Sequence, residues 1–304
     1  MVISAESVKA LREKTGAGMM DCKSALTQCD GDVNAAIDFL RAKGLANAEK
    51  KADRVAAQGL VSISVHKGGN MASIIELNSE TDFVAKNDKF QSLAANLSNI
   101  VLESGEQDIT KFCDMQYDSN VKVKDAIVEG IAVIGENINL RRIDVLKVDG
   151  VVASYVHSAV ANGMGKIGVV IAIESTGQHT KIAKLGKELA MQVAAYRPIA
   201  VAIDGVNKSL IERETSVLKE RLINITHESG GAKKIDEAKF LQGGLAKFYS
   251  EAVLMEQIFL LDSKKKVSTV INELEKEIGA TIKITKVIRY QVGEEDTSCS
   301  TIVA

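Results

Sequence analysis

Gly59-Leu60-Val61-Ser62-Ile63-Ser64-Val65-His66 is answered, without a gap, by Gly150-Val151-Val152-Ala153-Ser154-Tyr155-Val156-His157. Both stretches alternate apolar with small or polar residues, the period of a strand. A glycine-containing loop follows each, then a second apolar run, 72–77 in the first copy and 168–173 in the second. Helical spacing comes next in both, through Phe90, Leu93, Leu97, Ile100 and Val101, and through Ile182, Leu185, Leu189 and Val193. The copies also end alike. Residues 123–148 align ungapped with 267–292, pairing Ile127 with Ile271, Glu129 with Glu273, Gly135 with Gly279 and Ile138 with Ile282. In each, a helix stops at the glycine and a strand follows. The unit is strand, strand, helix, variable region, helix, strand, present twice. A three-stranded antiparallel sheet with helices on one face is its economical fold, so the class is α+β. The first copy occupies 59–149; the second occupies 150–205 and 253–293.

The copies differ in two places. The second holds an insertion, 206–252. Ile211, Leu218 and Ile225 recur every seven residues, and Leu241, Leu245, Phe248 and Ala252 recur at four, three and four. With Ser229-Gly230-Gly231 between them, they predict an antiparallel coiled-coil hairpin. Arms of about 18 residues span roughly 27 Å. Such a hairpin either projects toward something else or folds back on its own core. The first copy instead carries Thr81-Asp82-Phe83-Val84-Ala85-Lys86 between strand and helix, where the second has only Gly177-Gln178-His179-Thr180. No glycine or proline sets the backbone there. The fold unit therefore does not demand the acid and the aromatic. Either Phe83 tucks into the core and Asp82 caps a helical turn, or both are presented to another molecule.

Ahead of the repeat, residues 1–44 predict three short helices. Ser4 caps the first, which carries Val8 and Leu11 inward and breaks at Thr15-Gly16-Ala17-Gly18. The second runs from Met19 to Gln28. The third runs from Val33 to Lys43, with Gly44 as its stop. A bundle of the ubiquitin-associated type fits this length. Met19 and Met20 cannot both point inward: one is core and one idle, or the pair is an exposed apolar contact. Residues 45–58 predict a solvated helical linker, and 294–304 a short mixed tail.

Composition excludes several classes. The chain has 304 residues, 46% hydrophobic and 26% charged, enough for two or three folded domains. A net charge of -2 argues against direct nucleic-acid binding, which leans on phosphate neutralisation. No apolar run approaches a membrane span, and the start is not a signal peptide. Cys22, Cys29, Cys113 and Cys299 lack metal or disulfide spacing, as expected of free thiols in a reducing cytoplasm. Gly163-Met164-Gly165-Lys166-Ile167-Gly168 matches a dinucleotide fingerprint as text but leads into a strand, so it is a hairpin connection. No phosphate-binding loop motif, histidine metal cluster or nucleophile elbow occurs. No cofactor, metal or catalytic residue is expected, and a hydrolase or redox enzyme finds no support. Lys264-Lys265-Lys266 is expected to be a solvated turn. Tyr155 and His157 share one sheet face, as a structural strand end or as a contact surface.

Three stretches together resemble the bacterial elongation factor Ts family: 11–23 with Ala25-Leu26, Thr81-Asp82-Phe83-Val84-Ala85-Lys86, and Ile134-Gly135-Glu136-Asn137-Ile138-Asn139-Leu140-Arg141-Arg142. The resemblance covers nearly the whole chain except the tail, which is too short for the C-terminal helical module of some members. It implies a guanine-nucleotide exchange factor whose partner is the GTPase elongation factor Tu bound to GDP. It implies that Asp82 and Phe83, with Thr81 and Val84 shaping the loop, enter the partner's G domain and disturb its magnesium and phosphate site. Met19 and Met20, with Leu11, match an N-terminal contact with that domain. His157 matches the surface that meets a more distant partner domain. Self-association, and an adapter that binds partners without exchange activity, stand as alternatives.

Overall fold

The computed structural model describes residues 3–228, 236–294 and 301–303. Three helices open it: α1 (Ala5–Thr15), α2 (Met19–Gln28) and α3 (Val33–Lys51). Ser4 caps α1 by accepting the Ser7 N–H, and Asp32 caps α3 by accepting those of Asn34 and Ala35. Val8, Leu11, Cys22, Ala25, Leu26 and Ala36 form their shared core. The helix end expected at Gly44 is absent, and α3 runs on to Lys51, taking in half of the expected linker. Gly44 serves packing instead. A Cβ there would lie 3.2 Å from the Ala132 Cβ, and this close approach outweighs the roughly 1 kcal/mol by which glycine disfavours a helix.

The repeat is present in three dimensions. The first unit is β1 (Gln58–Val65), β2 (Met71–Ser79), α4 (Asp88–Ser104), α5 (Ile109–Cys113), α6 (Val123–Ile134) and β3 (Ile138–Lys147). The second begins β4 (Gly150–Ala161), β5 (Met164–Glu174), α7 (His179–Tyr196), α8 (Lys208–Glu228) and α9 (Glu237–Ala252). It ends β6 (Ile258–Phe259), β7 (Asp262–Lys266), α10 (Val267–Ile278) and β8 (Lys283–Gln291), with β9 (Thr301–Val303) beyond. In each unit the second strand is central, giving antiparallel sheets β1-β2-β3 and β4-β5-β8. The register slips at matching places, between Glu76 and Leu77 and between Ala172 and Ile173. α6 and α10 stop on left-handed glycines, Gly135 at φ 90° and Gly279 at φ 67°. Gly59 and Gly150 match too. A Cβ on either would fall 2.2 Å from a carbonyl oxygen, that of Leu77 or Ile173.

Helices cover one face of each sheet. α4 and α6 lie over Ile75, Leu77, Leu140 and Ile143; α7 and α10 lie over Ile171, Ile173 and Val287. The other two faces meet each other, with Val61, Ile63, Ala72 and Ile74 against Val152, Val170, Ala172, Ile288 and Tyr290. β1 also pairs with β5 at Val61–Gly165 and Ser62–Met164, joining the units into one curled sheet. The glycines of the false dinucleotide motif sit here. Gly163 is in the hairpin turn, and a Cβ on Gly168 would lie 2.6 Å from the Val61 side chain.

Charge is buried where the units join. Glu76, wholly buried in β2, accepts from Arg142 Nε at 2.8 Å and Nη2 at 2.5 Å, and from the Gly293 N–H at 2.9 Å. Arg142 donates onward to the Gln291 carbonyl at 3.2 Å and lies 4.1 Å over the Tyr290 ring. Beside it Glu294 holds Arg289 at 2.8 Å and Arg197 at 3.2 Å. Burial lowers the pKa of the Arg289 guanidinium from its ordinary value, and Glu294 opposes that.

α8 and α9 leave and return at one place. The Ile199 N–H bonds to Ala252 O at 2.8 Å, and the Leu254 N–H to Ala200 O at 2.9 Å. They touch closely at Gly244, where a Cβ would lie 2.5 Å from Leu218 Cδ2. Ile211, Phe248 and Tyr249, near this root, pack on the core; Val217 and Ile223 farther along α8 are exposed. The turn expected at 229–231, like Cys299, lies outside the described residues.

Two further expectations change. Lys264–Lys266 belong to strand β7 rather than a turn, with Lys265 bonded to Glu273 at 2.6 Å and Lys266 to Glu256 at 2.7 Å. The tail contributes β9, which pairs Thr301–Val303 with Ile288–Lys286 and buries Ile302. Three β-branched residues are too few to show a period in sequence. Among the described residues no helix is long and apolar enough to cross a membrane, and no cluster of side chains suits a metal ion.

Removing one partner of a buried ion pair strands the other. Glu76→Ala is expected to lower unfolding stability by about 3 kcal/mol, read as a lower urea midpoint at unchanged slope.

Candidate functional site

β2 ends at Ser79 and α4 starts at Asp88, with one 3-10 turn, Val84–Lys86, between them. Val84 and Ala85 are buried, and Asn87 caps α4 by accepting the N–H groups of Lys89 at 2.9 Å and Phe90 at 3.4 Å. The turn is anchored behind Phe83, whose own side chain stays outside, 78% exposed. Asp82 is exposed and caps nothing; the cap belongs to Asn87. The inward reading of the pair fails on both counts. Val84 anchors the loop rather than lining its outer surface.

A second segment holds this loop in front. Thr81 donates twice to one carboxylate, from its N–H to Glu136 Oε2 at 2.9 Å and from its hydroxyl to Glu136 Oε1 at 2.7 Å. The Ser79 hydroxyl donates to the Thr81 carbonyl at 2.9 Å. Glu80 accepts the Asn137 N–H at 2.7 Å and meets Arg54 at 3.5 Å. Asn137 Nδ2 donates to the carbonyls of Ala52 at 3.3 Å and Arg54 at 2.8 Å, and Lys51 Nζ to that of Gly135 at 2.6 Å. The end of α3, the loop after β2 and the turn after α6 thus share one junction.

The N-terminal helices dock beside it. Lys89, in the first turn of α4, donates to the Gly16 carbonyl at 3.4 Å, and Arg41 of α3 meets Asp125 of α6 at 3.6 Å. A cleft of about 260 Å³ remains between bundle and α6, lined by Ile37, Leu40, Val128 and Ala132 among others. Met19 and Met20 open α2 immediately after the glycine turn, 52% and 75% exposed, so neither is the core residue of the pair. Leu11 corrects an expectation: it is fully buried in the bundle core and cannot be a direct contact. Its position inside an amphipathic helix decides this, since the same stripe that makes α1 a helix must face its neighbours.

His157 is exposed on β4, with its Nδ1 3.1 Å from the Tyr155 hydroxyl. It takes no part in the junction. Glu80, Glu136 and Asn137 carry the junction, yet the sequence reading gave them no role. The signal for Glu136 and Asn137 was present in the ungapped alignment, where the second copy has Ala280 and Thr281 in their places.

A family model described as elongation factor TS matches residues 80–294, which take in the loop and most of both core units. An elongation factor Ts of Rickettsia bellii is 45% identical over 294 residues, covering 96% of this chain and 92% of that one. Those of Methylobacterium nodulans and Sinorhizobium fredii are 46% and 44% identical over 296 residues each, covering 96% and 97% of this chain and 92% and 94% of theirs. The chain belongs to the elongation factor Ts family. Membership makes it a factor of translation elongation in protein biosynthesis. Phe83, Asp82, Met19 and Met20 are exposed side chains on held backbone.

Burial separates Leu11 from the methionines. Leu11→Ala is expected to cost about 3 kcal/mol and speed amide exchange across α1 and α2, whereas Met20→Ala leaves that exchange unchanged.

Proposed function

We propose that the chain binds elongation factor Tu carrying GDP and accelerates GDP release, so that GTP replaces it. The observation that carries this reading is Phe83, held outside the fold by buried neighbours in a loop that the sister unit lacks. In this reading Phe83 and Asp82 enter the partner's G domain near its magnesium and phosphate site. Thr81 and Val84 shape the loop, and Met19 and Met20 make a second contact with the same domain. His157, beside Tyr155, belongs to the surface of the second unit that meets a more distant partner domain. The three N-terminal helices act as a ubiquitin-associated-like module. The α8–α9 pair acts as a coiled-coil arm, available to the partner or to a second copy.

The factor makes and breaks no covalent bond and needs no cofactor; it works in the cytoplasm, where the GTPase is. Its effect is a coupling free energy. It weakens GDP by the factor by which GDP weakens it. A thousandfold weakening requires about 4 kcal/mol. One buried phenylalanine is worth about 1.5–3 kcal/mol. Phe83 therefore works with the methionines and the core surfaces rather than alone.

Phe83→Ala is expected to slow GDP release at saturating factor at least tenfold while the complex still forms. Stopped-flow release of a fluorescent GDP reads the rate, and titration reads complex formation. An unchanged maximal rate sinks the role given to Phe83. Binding with no acceleration by the wild-type chain would make it an adapter instead.

A further inference from the structure

We infer that Glu136 is the positioning residue of the exchange loop, through Thr81; this rests on the function proposed above. Glu136 does not stand among the exposed groups offered to the partner. Its carboxylate receives two bonds from a single residue, the backbone N–H and the hydroxyl of Thr81. Thr81 precedes Asp82 and Phe83; the Phe83 carbonyl accepts the Lys86 N–H at 3.1 Å, and among the described residues neither side chain has a hydrogen-bond partner. On the far side Val84 and Ala85 are fixed by burial. The exposed pair is thus held from both ends, by packing and backbone hydrogen bonds after it and, before it, by the Glu136 carboxylate together with the Ser79 hydroxyl.

The clamp is not a requirement of the fold. The second unit has the same helix stop at Gly279 and the same following strand, yet Ala280 stands in the Glu136 position. That unit also has no loop to hold. Glu136 and the loop occur together in one unit and are absent together from the other. Asn137 ties the same turn to the end of α3 through two carbonyls. The direction of Phe83 is therefore referred to the body that also carries Met19 and Met20. A wedge that must enter a partner while other surfaces dock gains from such fixing, because less ordering entropy is lost on binding.

Four variants of the full chain test this against the cognate GTPase, read by maximal GDP release rate, affinity and melting temperature. Glu136→Ala is expected to lower the maximal rate at least fivefold, with affinity changed less than the rate. Its Thr81 amide loses protection from hydrogen exchange in the free protein. Glu136→Gln keeps the volume but has one acceptor oxygen, so an intermediate rate is expected. Thr81→Ser keeps both bonds and is expected to release GDP faster than isosteric Thr81→Val, which loses one. In the double variant Glu136→Ala/Thr81→Val, the Thr81 change should add nothing. Phe83→Ala, run alongside, separates the two ideas. A slow Phe83→Ala with a wild-type rate for Glu136→Ala overturns the positioning role alone. A wild-type rate for Phe83→Ala overturns the underlying function. Full additivity in the double variant, or a loss of rate that follows melting temperature across all variants, also overturns the positioning role.

Discussion

Each half of the core is a three-stranded sheet whose own helices cover one face, and the face left over is apolar. That bare face is the constraint on which the rest of the structure depends. Exposed to water it would forfeit roughly 25 cal/mol for every Å² left unburied. The chain meets the constraint by making the unit twice and setting the two bare faces together, Val61, Ile63 and Ile74 against Val170, Ala172 and Ile288. Neither unit is complete without the other. The central strands β2 and β5 are buried on both sides; β5 accordingly reads as a nearly unbroken apolar run, while β2 carries Ser73, Glu76 and Asn78 hydrogen-bonded inside.

The same seam explains the buried charges. The bulge lies in β3, where Arg141 is the extra residue; regular alternation keeps Glu76 on the Ile74 face of β2, where Arg142 and the Gly293 N–H neutralise and satisfy it. The second unit answers from the matching position. Lys286, which aligns with Arg142, meets Asp144 of the first unit at 3.4 Å. Polar ties thus cross the seam in both directions, and they fix which residues face each other where apolar packing alone would tolerate a slip.

Function, as proposed, lies where the two copies differ. A duplicated unit supplies an internal control that single folds lack. What both copies keep serves the fold, and what one copy alone carries needs another reason. The loop at 81–86, the Glu136 carboxylate and the α8–α9 arm are all of the second kind. Buried neighbours and the Glu136 carboxylate hold the 81–86 loop, so its exposed side chains are presented from fixed backbone. This suits a protein that acts by binding two states of a partner unequally, since a loose wedge would fit both states alike.

Sequence alone determined the repeat, the strand and helix order within it, the caps at Ser4 and Gly135, and the oddity of an acid and an aromatic at 82–83. These are local facts, carried by period and by turn chemistry. It misjudged Gly44, because a helix stop and a close-packing glycine look the same along the chain. It assigned Leu11 to a contact that burial forbids, and it left β9 unseen because three residues show no period. Only the tertiary structure decided that the two sheets cover one another, that Phe83 stays outside, and that Thr81 is held by Glu136. Those are distances between segments far apart in the chain. A pattern read residue by residue says which face of an element is apolar; which neighbour covers that face is settled when the whole chain packs.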